Sequence, residues 1–160
     1  MTVYYEEQNV LIRDSEFSDI DALKGKLKKA DIDEVKASHN FTPEEALRNS
    51  FNLSTMKFTF LYKNKVIGMF GIRPESLVSN VAIVWMLTSD EIENMKLRFL
   101  RLSRIFLGVF RSYYPVLVNH VDIRHKSSIA WLEWMGAKFM PSIKIGLRKM
   151  EFLPFQFGGQ

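Results

Sequence analysis

The sequence predicts an α/β domain, in the α+β sense: a mixed, mostly antiparallel twisted sheet of about six to seven strands with helices on both faces. Three observations carry this reading. The run VAIVWML, Val81 to Leu87, is apolar throughout and reads as a strand buried on both faces. A long stretch with apolar residues at steps of three and four follows it, and then a second apolar run, Val116 to Ile123. Upstream, Lys57 to Tyr62 and Lys65 to Ile72 flank Asn64 as the arms of a hairpin do. No repeat, low-complexity tract or Gly/Ser linker interrupts the 160 residues, so one domain over 1–160 is expected.

In chain order, Asn9 to Glu16 is a short strand, with Ser15 or Ser18 placed to cap a helix. From Asp19 to about Ser38, Ile20, Leu23 and Leu27 share one helical face, with an interruption near Lys28, Lys29 and Asp31. Thr42-Pro43-Glu44-Glu45 supplies a cap, a proline at the first helical position and a carboxylate three residues on, which starts a second helix running to about Phe51. The long helix spans about Glu91 to Tyr113. It buries Met95, Phe99, Leu102, Phe106 and Val109, and sets Arg98, Arg101, Arg104 and Arg111 on another face; Pro115 ends it. Ser127 or Ser128 caps a last helix through Met135, on which Trp131 and Trp134 share a core-facing side, and Gly136 suits its left-handed terminus. Strands over roughly Ala137 to Phe152 complete the sheet. The remaining tail, 152–160, holds Phe152, Phe155 and Phe157 around Pro154; exposed, these would be awkward, so the tail folds back or docks on another chain, and docking or dimerisation is the favoured expectation.

Composition removes several chemistries. Without cysteine there is no disulfide, thiolate metal site or cysteine nucleophile. Three histidines without an HExxH-type spacing predict no metal centre, and no Gly-x-Ser-x-Gly or GxxxxGK motif occurs. No apolar run reaches the ~18 residues of a membrane span, and the first ten residues lack a signal-peptide pattern. The net charge of +4 divides into −4 over residues 1–50 and +8 over 51–160, so the later part suits an anionic partner, phosphorylated cofactor or nucleic acid.

The order of elements, with the block Leu117 to Phe139 (LVNHVDIRHKSSIAWLEWMGAKF), resembles the GNAT acetyltransferase fold. Val121 falls on that family's late-strand valine and Gly136 on the glycine closing its last helix. Over about Asn9 to Lys149 the chain also resembles a narrower group of small GNAT-related bacteriophage proteins, known as acetyltransferases or as internal virion and morphogenesis proteins. Lys29 to Ser54, IGMFGI, VWMLTSDEI, FLRLSR and the Leu117–Phe139 block carry that likeness.

The resemblance implies acetyl-CoA as acyl donor, an amine acceptor, no metal, and a site at the end of the Val81–Leu87 strand. Trp85, Met86, Leu87, Thr88, Asn94, Met95, Lys96 and Arg98 would contact the cofactor. The stretch Thr88 to Arg98 departs from the family pattern: it has no glycine to bring backbone N–H groups close to a diphosphate, and it carries Asp90, Glu91 and Glu93. Leu132 stands where the family's proton-donating tyrosine falls and His125 where its asparagine falls. His125, Asn119 and His39 are the candidate catalytic residues, with Asn119 and His120 pointing to opposite sides of their strand. Three functions stay open: an acyl-CoA-dependent N-acetyltransferase; a non-enzymatic protein that binds a phage virion component, in the host cytoplasm or in the virion; and nucleic-acid binding through the arginine face.

Overall fold

In the computed structural model, described over residues 1–159, nine strands form one sheet in the order β1-β2-β3-β4-β5-β6-β9-β7, with β8 also on β9. The strands are β1 (Val3–Glu7), β2 (Val10–Asp14), β3 (Met56–Tyr62), β4 (Lys65–Pro74), β5 (Val81–Thr88), β6 (Val116–Asp122), β7 (Lys138–Phe139), β8 (Ile143–Ile145) and β9 (Met150–Phe157). The helices are α1 (Ser18–Leu23), α2 (Lys29–His39), α3 (Pro43–Leu53), α4 (Lys96–Tyr113) and α5 (Lys126–Trp134). All strand pairs are antiparallel except β5–β6. Among the described residues no helix is long and apolar enough to cross a membrane.

Local chemistry sets the turns and caps. Lys63 and Asn64 both take positive φ, 50° and 63°, so the β3–β4 hairpin closes through two left-handed residues, and Gln8–Asn9 do the same between β1 and β2. The first of these hairpins follows from Asn64; β1 carries no such signal in the sequence, because it is exposed on both faces. Thr42 and Glu45 form the full capping box, and Gly136 is left-handed at φ 100°. The early helical region is two helices, parted at residues 24–28, where the Lys28 N–H and Leu27 bind the end of β5 instead of continuing a helix. Asp31 therefore lies inside α2 and does not interrupt it. The long helix also starts later than expected: Asp90–Met95 is a 3-10 segment capped by Ser89.

The sheet separates two cores. On one face α4 and α5 cover Phe58, Phe70, Ile72, Leu117, Val121, Phe155 and Phe157, with Phe106 stacked edge-on against Phe58 and Phe70. On the other, Ile20, Leu23, Leu27, Ala46 and Leu47 of the first helices and the segment after α1 pack on Met69 and Leu87. Arg13 and Asp19 make a buried two-pronged ion pair, with Thr59 donating to the same carboxylate, and so tie β2, α1 and β3 together. Gly71 lies where an added Cβ would sit 2.2 Å from the Met56 carbonyl oxygen, a contact no side chain tolerates.

The C-terminal tail is corrected by β9. Residues 150–157 insert between β6 and β7 instead of docking elsewhere, and Phe152, Phe155 and Phe157 are buried at 0%, 5% and 3% exposure. The strand continues past Phe152 because Pro154 pairs opposite His120, and alternate phenylalanines complete the α4-side core. Trp134 is likewise corrected: Trp131 packs on Phe99, but Trp134 is 44% exposed under the Arg104 guanidinium. Phe152→Ala should lower unfolding stability by about 3–5 kcal/mol, read as a shifted urea midpoint. Were the tail a docking element, the substitution would change oligomeric state and leave the midpoint in place.

Candidate functional site

β5 and β6 pair in parallel over only three positions, Val81–Val116, Ala82–Leu117 and Ile83–Val118, and then part. β5 stays paired with β4 out to Thr88, and β6 with β9 out to Asp122, so the sheet opens as a fork held by its outer neighbours. Buried backbone polar groups along such an opening need partners. At its base the Asn119 side-chain amide donates to the Val84 carbonyl (2.7 Å), while its oxygen accepts the His120 N–H (2.8 Å). At its far ends two carboxylates of α2 act as caps. Asp31 accepts the Thr88 N–H of β5 (3.0 Å), and Glu34 accepts the Asp122 N–H of β6 (3.0 Å). Strand alternation then leaves the N–H and C=O of Met86 facing the fork between these bridges, with no strand partner.

A cavity of about 430 Å³ passes through this fork from one face of the sheet to the other. On the α4–α5 side it is apolar, lined by Val84, Met86, Phe99, Leu102, Phe106 and Trp131. On the α2–α3 side it is polar, with Glu34, Ser38, His39, Asn49, Arg73 and His120. Two buried polar atoms lining it have no partner: Trp131 Nε1 on the apolar side and His120 Nδ1 on the polar side. Burial, with His39 nearby, holds the His120 imidazole below the usual histidine range; burial, with the Arg73 charge, does the same to His39 at the cavity mouth. Glu34 is pushed up to about 7 by burial, which outweighs the favourable bond from the Asp122 N–H. Near neutral pH the polar half therefore holds two uncharged imidazoles, the half-titrated Glu34 carboxyl, the Asp31 carboxyl bonded to Thr88, and one guanidinium.

The expected site residues divide between the cavity and the frame around it. Asn119 sits at the base of the fork and His39, the last residue of α2, at the mouth; Trp85, Met86 and Leu87 line the cavity. His125 does not. It is 5% exposed, precedes α5, and bonds Asp31 Oδ1 (3.1 Å) and Ser128 Oγ (3.0 Å), so it holds the carboxylate that caps β5. Thr88 is buried with its N–H given to Asp31, and the Ser89 N–H is given to Ile67. Met95 is a core residue at 5% exposure and cannot reach a cofactor. Arg98 donates to the Glu7 and Gln8 carbonyls, which binds α4 to the β1–β2 turn, and Asn94 and Lys96 are exposed beyond the cavity. The arginine face is correspondingly broken up, since Arg104 also reaches the Trp134 carbonyl.

Sequence reasoning missed Asp31, Glu34 and Arg73. Asp31 and Glu34 stand three apart on one helix, so both carboxylates share a face with Val35, and that spacing was the available signal. Arg73 gave none, since a charge near the end of a strand reads as solvated. Among the described residues no cluster of three or more His, Asp or Glu side chains could hold a metal ion.

Several solved structures share this architecture. A GNAT-family acetyltransferase from Bacillus anthracis superposes with a TM-score of 0.66 at 16% identity, covering 95% of this chain and 96% of that one. Spermidine N-acetyltransferase from Vibrio cholerae, in complex with CoA and spermine, gives 0.68 at 13% identity over 93% and 95%. The ribosomal-protein-S18-alanine N-acetyltransferase from Escherichia coli gives 0.64 at 13% over 94% and 97%. The chain has the GNAT fold. Residues 76–142 match the family model described as Bacteriophage T7, probable scaffold protein Gp13. A comparison with curated proteins finds no match.

Glu34 gives a pH test. Its carboxyl titrates near 4.5 when free and at about 7 in the fold, so its neutral form stabilises the fold fully below pH 4.5 and that contribution disappears as pH rises through about 7. With a discount for water in the cavity it is on the order of 2 kcal/mol. Glu34→Gln, which can still accept the Asp122 N–H, should flatten the wild-type decline in urea midpoint between pH 5 and 8.

Proposed function

We propose that this chain is an N-acetyltransferase of the GNAT type, in which donor and amine meet in the fork between β5 and β6. The observation that carries this reading is the through-sheet cavity, apolar on one side and polar on the other, with free Met86 backbone groups between. Acetyl-CoA would supply the acyl thioester that the amine attacks. The residues fit its arm better than its diphosphate. The Met86 N–H and C=O can pair with an amide, Trp131 Nε1–H can donate to a carbonyl, and Phe99, Leu102 and Phe106 exclude water. At the diphosphate end the Thr88 and Ser89 N–H groups are already committed and Asp90, Glu91 and Glu93 are repulsive, so donor affinity rests on the arm. On the polar side, His120 is placed to take the proton the amine loses. Leu132, buried in the core, cannot return a proton to the departing thiolate, which therefore leaves unassisted by that position.

A second reading is favoured by two observations: the match of residues 76–142 to a phage scaffold family, and the filled donor groups at the end of β5. In it the fold is kept without catalysis and serves assembly of a phage particle, in the host cytoplasm or within the virion.

Calorimetry and a thiol-release assay separate the two. Acetyl-CoA should bind with a Kd in the high micromolar to millimolar range, and Leu107→Trp, which fills the apolar half, should weaken it at least ten-fold. Asn49→Trp, on the polar half, should abolish transfer and leave acetyl-CoA binding unchanged. No heat at millimolar acetyl-CoA would remove the enzymatic reading, and recovery of a phage structural protein on the chain in infected cells would then support the second.

A further inference from the structure

The polar half of the cavity carries a charge pattern that points to one class of acceptor. Arg73 lies on β4 opposite Ile83, on the same side of the sheet as Trp85 and His120, and lines the cavity. The two other arginines that are at least half-buried are both engaged: Arg13 with Asp19, and Arg98 with the Glu7 and Gln8 carbonyls. Among the described residues, Arg73 is in no ion pair and no hydrogen bond through its side chain. A guanidinium carries five donors in a planar fork suited to a carboxylate, and leaving them unused beside a buried cavity is costly unless a ligand takes them. Neither carboxyl of this half meets it: Asp31 is bonded to the Thr88 N–H and His125, and Glu34 binds the Asp122 N–H and is half neutral near pH 7. His120 faces the same space with Nδ1 buried and unpartnered, 6.3 Å ring to ring from His39.

We propose that the α2–α3 half of the cavity binds an amine that carries its own carboxylate, of the α-amino-acid type, with Arg73 pairing with the carboxylate and His120 facing the amine. This rests on the acetyltransferase reading only for the fate of the amine; the binding stands apart from it. A polyamine would bring further positive charge towards Arg73, and the two carboxyls of this half are already bonded to backbone N–H groups. A simple alkylamine would leave the guanidinium unpaired.

The test is binding to the full chain, without acyl donor, by titration calorimetry and ligand-observed NMR. The probes are L-phenylalanine, L-methionine and L-glutamate, with phenethylamine, which lacks only the carboxylate of phenylalanine, and spermidine. At least one amino acid should bind. If it is phenylalanine, it should bind at least ten-fold more tightly than phenethylamine, and any amino acid that binds should exceed spermidine by the same margin. Arg73→Gln should lose at least ten-fold for that amino acid without changing phenethylamine binding, and Arg73→Lys should recover part of the loss; a thermal midpoint within a few degrees of wild type shows that both variants fold. Equal or tighter binding of spermidine or phenethylamine, no binding of any amino acid, or indifference to Arg73→Gln would overturn the proposal. Acetyl transfer to spermidine without amino-acid binding would sink this inference and spare the acetyltransferase reading. Amino-acid binding without any response to acetyl-CoA would do the reverse.

Discussion

The molecule is organised around strands β5 and β6 that pair for three rungs and then part. A sheet that opens in its middle exposes donors and acceptors that water reaches poorly, and each unmade bond there would cost about 1–3 kcal/mol. The outer strands keep the fork open: β4 grips β5, and β9 grips β6, along their whole lengths. Side chains then settle the groups that the strands give up. Asn119 bridges the base, Asp31 and Glu34 cap the two ends, and His125 fixes Asp31. The central groups on Met86 have no such partner among the described residues, and the cavity forms around them.

This arrangement explains where the chain's charge goes. The acidic first fifty residues and the basic remainder look, as composition, like a surface awaiting an anionic partner. Several of the acids are instead spent inside: Asp19 on Arg13, Asp31 on Thr88 and His125, Glu34 on Asp122. Among the described residues, Asp31 alone of these acids meets an ionisable base of the later segment, His125. Arg73 stands out against this background because it lines a cavity and, among the described residues, nothing answers it.

Much of the frame was legible in the sequence, and for physical reasons. A doubly buried strand such as Val81–Leu87 must be apolar at nearly every position, and a helix starting with Thr-Pro-Glu-Glu advertises its cap. What was not legible depends on contacts distant in sequence. The tail phenylalanines read as adhesive because their partners across the sheet, Leu117, Asn119 and Asp122, are thirty or more residues away. His125 read as an acid or base because nothing local reveals a carboxylate ninety-four residues earlier that it would bind. Met95 and Arg98 read as cofactor contacts from the resemblance alone; in the fold Met95 is in the core and Arg98 is bonded to the Glu7 and Gln8 carbonyls. The cavity's polar residues come from α2, α3, β4 and β6, four elements that no local pattern joins.

The two ends of the fork have consequently diverged in what they can bind. Where β5 meets the 3-10 segment, the Thr88, Ser89, Glu91 and Ile92 N–H groups are already bonded within the chain, and three carboxylates sit beside them, so an anionic group gains few hydrogen bonds and no favourable potential there. In the middle and on the α2–α3 side the opposite holds: unpaired groups on Met86, Trp131, His120 and Arg73 surround an open volume. Bonds unmade inside a protein mark where binding free energy can still be gained, and bonds already made mark where it has been used. By that measure, on the proposed acetyltransferase reading, recognition would be concentrated on the short arm of an acyl donor and on the acceptor, with the nucleotide end contributing little.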